Sequence, residues 1–152
     1  MAMDEARFCI FLGAGGHARV LIEALRASGF SGRGVLLDPD RSLWGKERFG
    51  LPVLGGDERI GKLAEGGEAT FVVAVGSVGA TDLRRRLYAL GRSFALEPMR
   101  IVHPSAIVSP SAHLGAGVQL LAGSIVNAAA VIGENVIVNT GAIVEHDCRI
   151  GD

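Results

Sequence analysis

From Val102 onward an aliphatic residue returns at every sixth position: Val102, Val108, Leu114, Leu120, Val126, Ile132, Val138, Val144 and Ile150. The position four further on is small or β-branched: Ala106, Ala112, Val118, Ser124, Ala130, Val136, Ala142 and Cys148. A helix repeats near 3.6 and a half-buried strand repeats at two, so neither accounts for a period of six. A parallel β-helix does. Each six-residue unit gives one short strand and one corner, three units close a triangular coil of about eighteen residues, and equivalent residues stack. The aliphatic residue fills the prism and the small residue fits beside it. Gly115, Gly117, Gly123, Gly133 and Gly141 suit the corners, where the chain turns sharply.

The chain changes character near residue 100. All eight aromatic residues precede it, and residues 101–152 carry only five charged side chains: Glu134, Glu145, Asp147, Arg149 and Asp152. Such a shift reads as a domain boundary. Residues 1–98 are expected to form one domain, and 99–152 an incomplete left-handed β-helix of about three coils. The repeat runs to Ile150 and the sequence stops at Asp152, leaving a coil open. The reading is that a longer protein continues from here, or that a neighbouring chain covers this end.

The first part alternates strand and helix signals. Phe8–Leu12, Val35–Leu37 and Thr70–Val75 read as strands, the first and last ending at glycine. Residues 18–27 read as a helix with Val20, Leu21, Ala24 and Leu25 on one face. Residues 57–64 read as a short helix capped by Asp57, and 81–90 as a helix stopped by Gly91. The alternation argues for a Rossmann-like α/β domain, a parallel sheet with helices on its faces.

Composition narrows the function classes. A net charge of −1 marks neither a nucleic-acid surface nor an anionic-membrane surface, and no membrane insertion is expected. Arg84, Arg85 and Arg86, the one basic run, read as a solvated helix face. Two distant cysteines, Cys9 and Cys148, suit neither a disulfide scaffold nor a metal cluster, so no metal is expected. Phe8–Leu12 is too short for the core of a signal peptide. The expected setting is cytoplasmic.

Two motifs bear on chemistry. Gly13-Ala14-Gly15-Gly16-His17-Ala18 follows a strand and opens a helix, matching G-x-G-x-x-[GA], and Asp38 ends the next strand. Free N–H groups at a helix start attract phosphate, and Asp38 is placed for a ribose or base. Gly76 and Ser77 either line the same crevice or form a simple turn. His17 either caps its helix locally or, as a neutral ring at the positive helix end, donates to a phosphate or sugar oxygen. The second motif is Glu145-His146-Asp147-Cys148. A histidine beside a carboxylate can act as an oriented general base, or it is a surface histidine at a corner. Asn139 lies one unit earlier, where a substrate contact or a structural stack is open. Asn127, His103 and His113 read as structural.

Several segments together resemble the sugar O-acyltransferase family of sialic-acid and UDP-N-acetylbacillosamine biosynthesis. They are Gly13-Ala14-Gly15-Gly16-His17, Leu37-Asp38, Ala74-Val75-Gly76, Val102-His103-Pro104-Ser105-Ala106, Val138-Asn139-Thr140 and Glu145-His146-Asp147-Cys148-Arg149-Ile150-Gly151. The resemblance implies acetyl transfer from acetyl-CoA to an amine or hydroxyl of a nucleotide-linked amino sugar, with UDP as the nucleotide. It implies a homotrimer with active sites between adjacent β-helices. The Gly13–His17 loop would lie near the phosphates and Asp38 near the uridine. His146 would be the general base, oriented by Asp147. The sequence departs from the family at three places: Asp147 where glutamate is common, Pro39 where a second acidic residue is frequent, and Ser77 where asparagine often stands. The acetyl-CoA groove of the family is built mainly from coils beyond residue 152. Cys148 is expected in an interior slot, so no covalent nucleophile is foreseen. Two other readings remain: a dinucleotide-binding oxidoreductase, argued from the glycine loop and Asp38, and a non-catalytic nucleotide-sugar-binding module.

Overall fold

The computed structural model describes residues 8–67 and 69–152. The chain divides into two compact units, one holding the segment up to Ile22 together with Phe30–Pro98, the other Glu23–Gly29 with Met99–Asp152.

The first unit is built on a six-stranded sheet. Its strands are β1 (Phe8–Leu12), β2 (Gly34–Leu37), β3 (Glu47–Arg48), β4 (Leu51–Gly55), β5 (Ala69–Val73) and β6 (Glu97–Pro98). The spatial order is β3-β4-β2-β1-β5-β6, parallel throughout except that β3 pairs antiparallel with β4. Strand β1 is central, with β2 on one side and β5 on the other. Buried on both faces, β1 and β5 read as near-continuous apolar runs, as parallel strands do. The helices are α1 (Gly16–Ala27), α2 (Ile60–Ala64) and α3 (Asp82–Ser93). One core joins Ile10 and Leu12 of β1, Val35 and Leu37 of β2, and Phe71 and Val73 of β5 to Ile60 and Leu87 of the helices. Each such side chain contributes roughly 1.5–3 kcal/mol by leaving water.

Four local expectations need correction. Val20 is 42% exposed, whereas Ala18, Leu21, Ile22, Ala24 and Leu25 are buried, so the apolar stripe of α1 lies a step away from Val20. Asp57 does not cap α2. It sits in a single 3₁₀ turn (Asp57–Arg59) headed by Gly56, whose N–H donates to Glu58 Oε1. Gly91 does not stop α3, which runs to Ser93; a Cβ there would come within 2.5 Å of the Phe71 ring, so Gly91 lets the helix approach the sheet. Finally, Arg84 is not on a solvated face: it is 3% exposed, while Arg85 and Arg86 are exposed. Strands β3 and β6 carry two residues each, too few for a period to show.

The second unit is a left-handed parallel β-helix. Its two-residue strands are β7 (Ile101–Val102), β8 (Ile107–Val108), β9 (His113–Leu114), β10 (Gln119–Leu120), β11 (Ile125–Val126), β12 (Val131–Ile132), β13 (Ile137–Val138), β14 (Ile143–Val144) and β15 (Arg149–Ile150). They form three sheets, β7-β10-β13, β8-β11-β14 and β9-β12-β15, each strand pairing in parallel with the one eighteen residues away. Leu120, Val126, Ile132 and Val138 fill the prism with Val118 and Ala130, and the flanking members of both sequence registers pack against them. The two predicted columns are thus the two columns of the core. Val102 and Ile150, at their ends, are 38% and 39% exposed.

The corners repeat as strictly as the core. Gly117, Gly123, Ala129, Asn135, Gly141 and Asp147 all have positive φ, at a spacing of six. Gly115 and Gly133 serve differently: a Cβ on Gly115 would collide with the Gly133 carbonyl of the next coil. At the first coil, hydroxyls receive the inter-coil donors. Gly123 N–H donates to Ser105 Oγ and Ala129 N–H to Ser111 Oγ, whereas Asn135, Gly141 and Asp147 donate to the carbonyls of Ala116, Ala122 and Ala128. His103 Nδ1 receives the Ser105 N–H at 3.1 Å and lies 2.7 Å from its hydroxyl, the structural role read for it from sequence.

Candidate active site: an acceptor loop and a histidine corner

In the first unit, the loops that follow β1, β2 and β5 converge at the carboxyl edge of the sheet. The order β2-β1-β5 makes this the switch point of the topology, where open α/β sheets bind ligands. Gly13 has φ +120, and a Cβ there would come within 2.8 Å of Val75 Cγ1 and 2.9 Å of the Ala74 carbonyl. Only glycine brings β1's exit this close to β5's. Gly15 and Gly16 are the opposite case: both are exposed with open space above them, and Gly16 begins α1. The site therefore presents bare peptide N–H groups at a helix start, where an anion binds well.

Asp38 organises this loop. One carboxylate oxygen accepts the Ala14 N–H at 2.9 Å and the other accepts the Asp40 N–H at 2.9 Å, while its carbonyl accepts Trp44 Nε1 at 2.8 Å. Each oxygen keeps further accepting capacity, so a ribose hydroxyl can still be bound. Asp57 stands near it: partial burial raises the Asp57 carboxyl, Arg86 opposes this, and the charges of Glu58 and Asp38 add to the rise. The His17 ring lies against Gly76, 3.8 Å from where a Cβ would be, so His17, Gly76 and the Gly13 loop share one edge. Ser77 is exposed in the segment after Gly76.

In the second unit, His146 and Asp147 follow β14 at a corner. Successive strand residues point to opposite sides, but the left-handed Asp147 (φ 60) bends the chain and brings its carboxylate to the ring. His146 Nδ1 and Asp147 Oδ2 are 2.7 Å apart. The shorter side chain at 147 therefore reaches. The hydrogen bond that Asp147 accepts, then its charge, and more weakly the charge of Glu145, raise the His146 pKa above the ordinary histidine value. Glu145 is held in turn by Asn127 from the coil before, Nδ2 to Oε2 at 3.1 Å. A single sequence does not show this eighteen-residue coupling until the repeat is folded into coils. Asn139 follows β13, one edge away from His146, and its side-chain oxygen accepts the Thr140 N–H. Cys148 stands in the small-residue register and is exposed. Among the described residues no group of three His, Cys, Asp or Glu side chains could hold a metal ion.

The PglD N-terminal domain family matches residues 9–89. Among solved structures, the chain is similar to the acetyltransferase domain of PglB from Neisseria gonorrhoeae FA1090, with 34% identity, a TM-score of 0.82, and coverage of 95% of this chain and 67% of that one. It is similar to perosamine N-acetyltransferase from Caulobacter crescentus, solved with CoA and GDP-perosamine as a histidine-to-asparagine mutant, at 41% identity and TM-score 0.81, covering 94% of this chain and 65% of that one. WeeI from Acinetobacter baumannii AYE shares the fold, with 21% identity, TM-score 0.80, and coverage of 96% and 67%. No curated protein sequence matches. The chain spans about two thirds of the length of these structures. It belongs to the PglD-type family of sugar acetyltransferases, whose Rossmann-like domain and left-handed β-helix it contains.

Proposed function

We propose that the chain carries the acceptor-binding domain and the general base of an acetyltransferase that moves an acetyl group from acetyl-CoA to a nucleotide-linked amino sugar. The observation that carries this is the His146–Asp147 pair. With Asp147 accepting from Nδ1–H, the ring's Nε2 holds the lone pair and faces away from its anchor. The donor supplies the acetyl group as a thioester. His146 takes the proton from the acceptor nitrogen as that nitrogen bonds to the thioester carbon, and the CoA thiolate departs. Base catalysis of this kind is typically worth about 10²–10⁴-fold.

The acceptor's diphosphate is assigned to the Gly15 and Gly16 amides and to His17, with Gly13, whose N–H donates to the Leu37 carbonyl at 2.8 Å, shaping the turn, Asp38 toward the ribose and Gly76 and Ser77 on the opposite wall. UDP is the proposed nucleotide, and Asn139 a proposed sugar contact. We place the boundary between the two domains at residues 98 and 99. A homotrimer is proposed from the β8-β11-β14 face, where Ile107, Ile125 and Ile143 stand in register. Ile107 is 62% and Ile143 58% exposed, an outward apolar ladder that a second copy of this chain would cover. A cytoplasmic setting fits the two free cysteines.

The experiment is a calorimetric titration of the chain with UDP-linked amino sugar, its GDP counterpart and NADH. Binding of a nucleotide sugar with no binding of NADH is expected. Tight NADH binding alone would instead support a dinucleotide-dependent oxidoreductase.

A further inference from the structure

Arg84 is the third residue of α3 and is 3% exposed. Its Nη1 donates to the carbonyls of Val75 at 2.6 Å and Val73 at 3.3 Å, the second residue beyond β5 and the last residue of β5. Burial lowers its pKa to about 10, so it remains a cation at neutral pH. Arginine is rarely this buried, and an apolar side chain of similar size would fill the space without the desolvation penalty. The structure shows what lies next to it. Ala74 and Val75 are the atoms that pack against Gly13, and Gly76 is the residue against which His17 rests. The guanidinium thus sits one layer behind the loop that carries Gly15 and Gly16 into α1, at the switch point of the sheet.

We propose that Arg84 is a positioning and charge-supplying residue for the acceptor's diphosphate, acting from within the protein rather than by touching the ligand. It fixes the peptides that wall the Gly13 loop, and its positive charge adds to the field of the α1 amino terminus. In an interior of low effective dielectric that charge reaches further than a surface arginine would. Arg85 and Arg86 are exposed on the same helix, and water screens their charge more strongly. The inference rests on the nucleotide-sugar reading above.

The test compares UDP with uridine, and GDP with guanosine, on the intact chain and on Arg84→Met and Arg84→Lys. Methionine keeps apolar volume and removes charge; lysine keeps charge with one donor head. The expectation is that R84M weakens nucleoside diphosphate binding on the order of tenfold more than nucleoside binding, and that R84K recovers a large part of that difference. Equal weakening of diphosphate and nucleoside, or no change in either, would overturn the proposal. Should R84M fail to fold, the Arg84 guanidinium resonance in the unaltered chain gives the answer. It should move when UDP is added and stay when uridine is added; movement with both, or with neither, contradicts the proposal. If the unaltered chain binds neither UDP nor GDP, the nucleotide-sugar reading itself falls and takes this inference with it, an outcome distinct from failure at Arg84 alone.

Discussion

The ring of His146 and the carboxylate of Asp147 meet at 2.7 Å although the two residues are neighbours in sequence. The left-handed backbone at Asp147 makes this possible, and that conformation belongs to the coil rather than to the pair. Equivalent corners at Gly117, Gly123 and Gly141 use glycine, for which φ above zero is free of strain. At 147 the fold accepts an aspartate in a conformation that costs a non-glycine residue roughly 1–2 kcal/mol.

The first prediction concerns the titration of His146. Its folded pKa is raised, by Asp147 first, so it titrates above the unperturbed value of about 6.5. Because the folded value exceeds the unfolded one, the pairing stabilises the fold fully below the unfolded pKa and this contribution fades as pH rises through the folded pKa. A base must be unprotonated, so turnover should rise with pH through that same raised value. Asp147→Asn should move both the NMR midpoint of His146 and the acidic limb of the rate profile to lower pH. An unmoved midpoint would show that Asp147 does not govern the ring.

Aspartate at a glycine corner sets stability against chemistry. Asp147→Gly should leave the melting temperature equal or higher, while removing the ring's anchor and reducing turnover by at least about tenfold. A clear drop in melting temperature with unaltered turnover would contradict this.

Gly13 and Gly15 should part company on substitution. Gly13→Ala meets Val75 and Ala74 at under 3 Å in a backbone conformation unsuited to a side chain, so a loss of about 2 kcal/mol or more is expected in chemical denaturation. Gly15→Ala meets open space, so stability should change by less than about 0.5 kcal/mol. If the loop cradles a diphosphate, the added methyl should nonetheless weaken UDP binding. Equal stability losses in the two variants would refute the geometry of the loop.

Much of this architecture is legible in the sequence. The six-residue period names the β-helix because only stacked coils make every sixth residue equivalent, and Val126, Ile132 and Val138 are buried as that requires. The glycine loop and Asp38 announced the carboxyl edge of the sheet. What stayed hidden depends on three-dimensional neighbours. Arg84 looks like its exposed companions until α3 is docked on β5. Gly91 looks like a stop signal until Phe71 is seen beneath it. The Asn127–Glu145 bond joins residues one coil apart, and sequence order hides that proximity.

Thiol chemistry gives a further check on the same architecture. Cys9 is fully buried in β1 and its pKa is pushed up to about 12, whereas Cys148 is exposed. A disulfide reagent at neutral pH should modify one thiol in the native chain, at Cys148, and both after denaturation. Rapid native labelling of Cys9 would mean that the central strand is not in the core.

The central claim is that His146 is the base for acetyl transfer to a bound nucleotide sugar. Its most direct test is release of free CoA thiol from acetyl-CoA and a nucleotide-linked amino sugar, measured for the full-length polypeptide with His146 and with His146→Ala, alongside the affinity of each for the sugar. The account predicts a loss of turnover of about 10²-fold or more in H146A with acceptor affinity retained; turnover near that of the unaltered protein would contradict it.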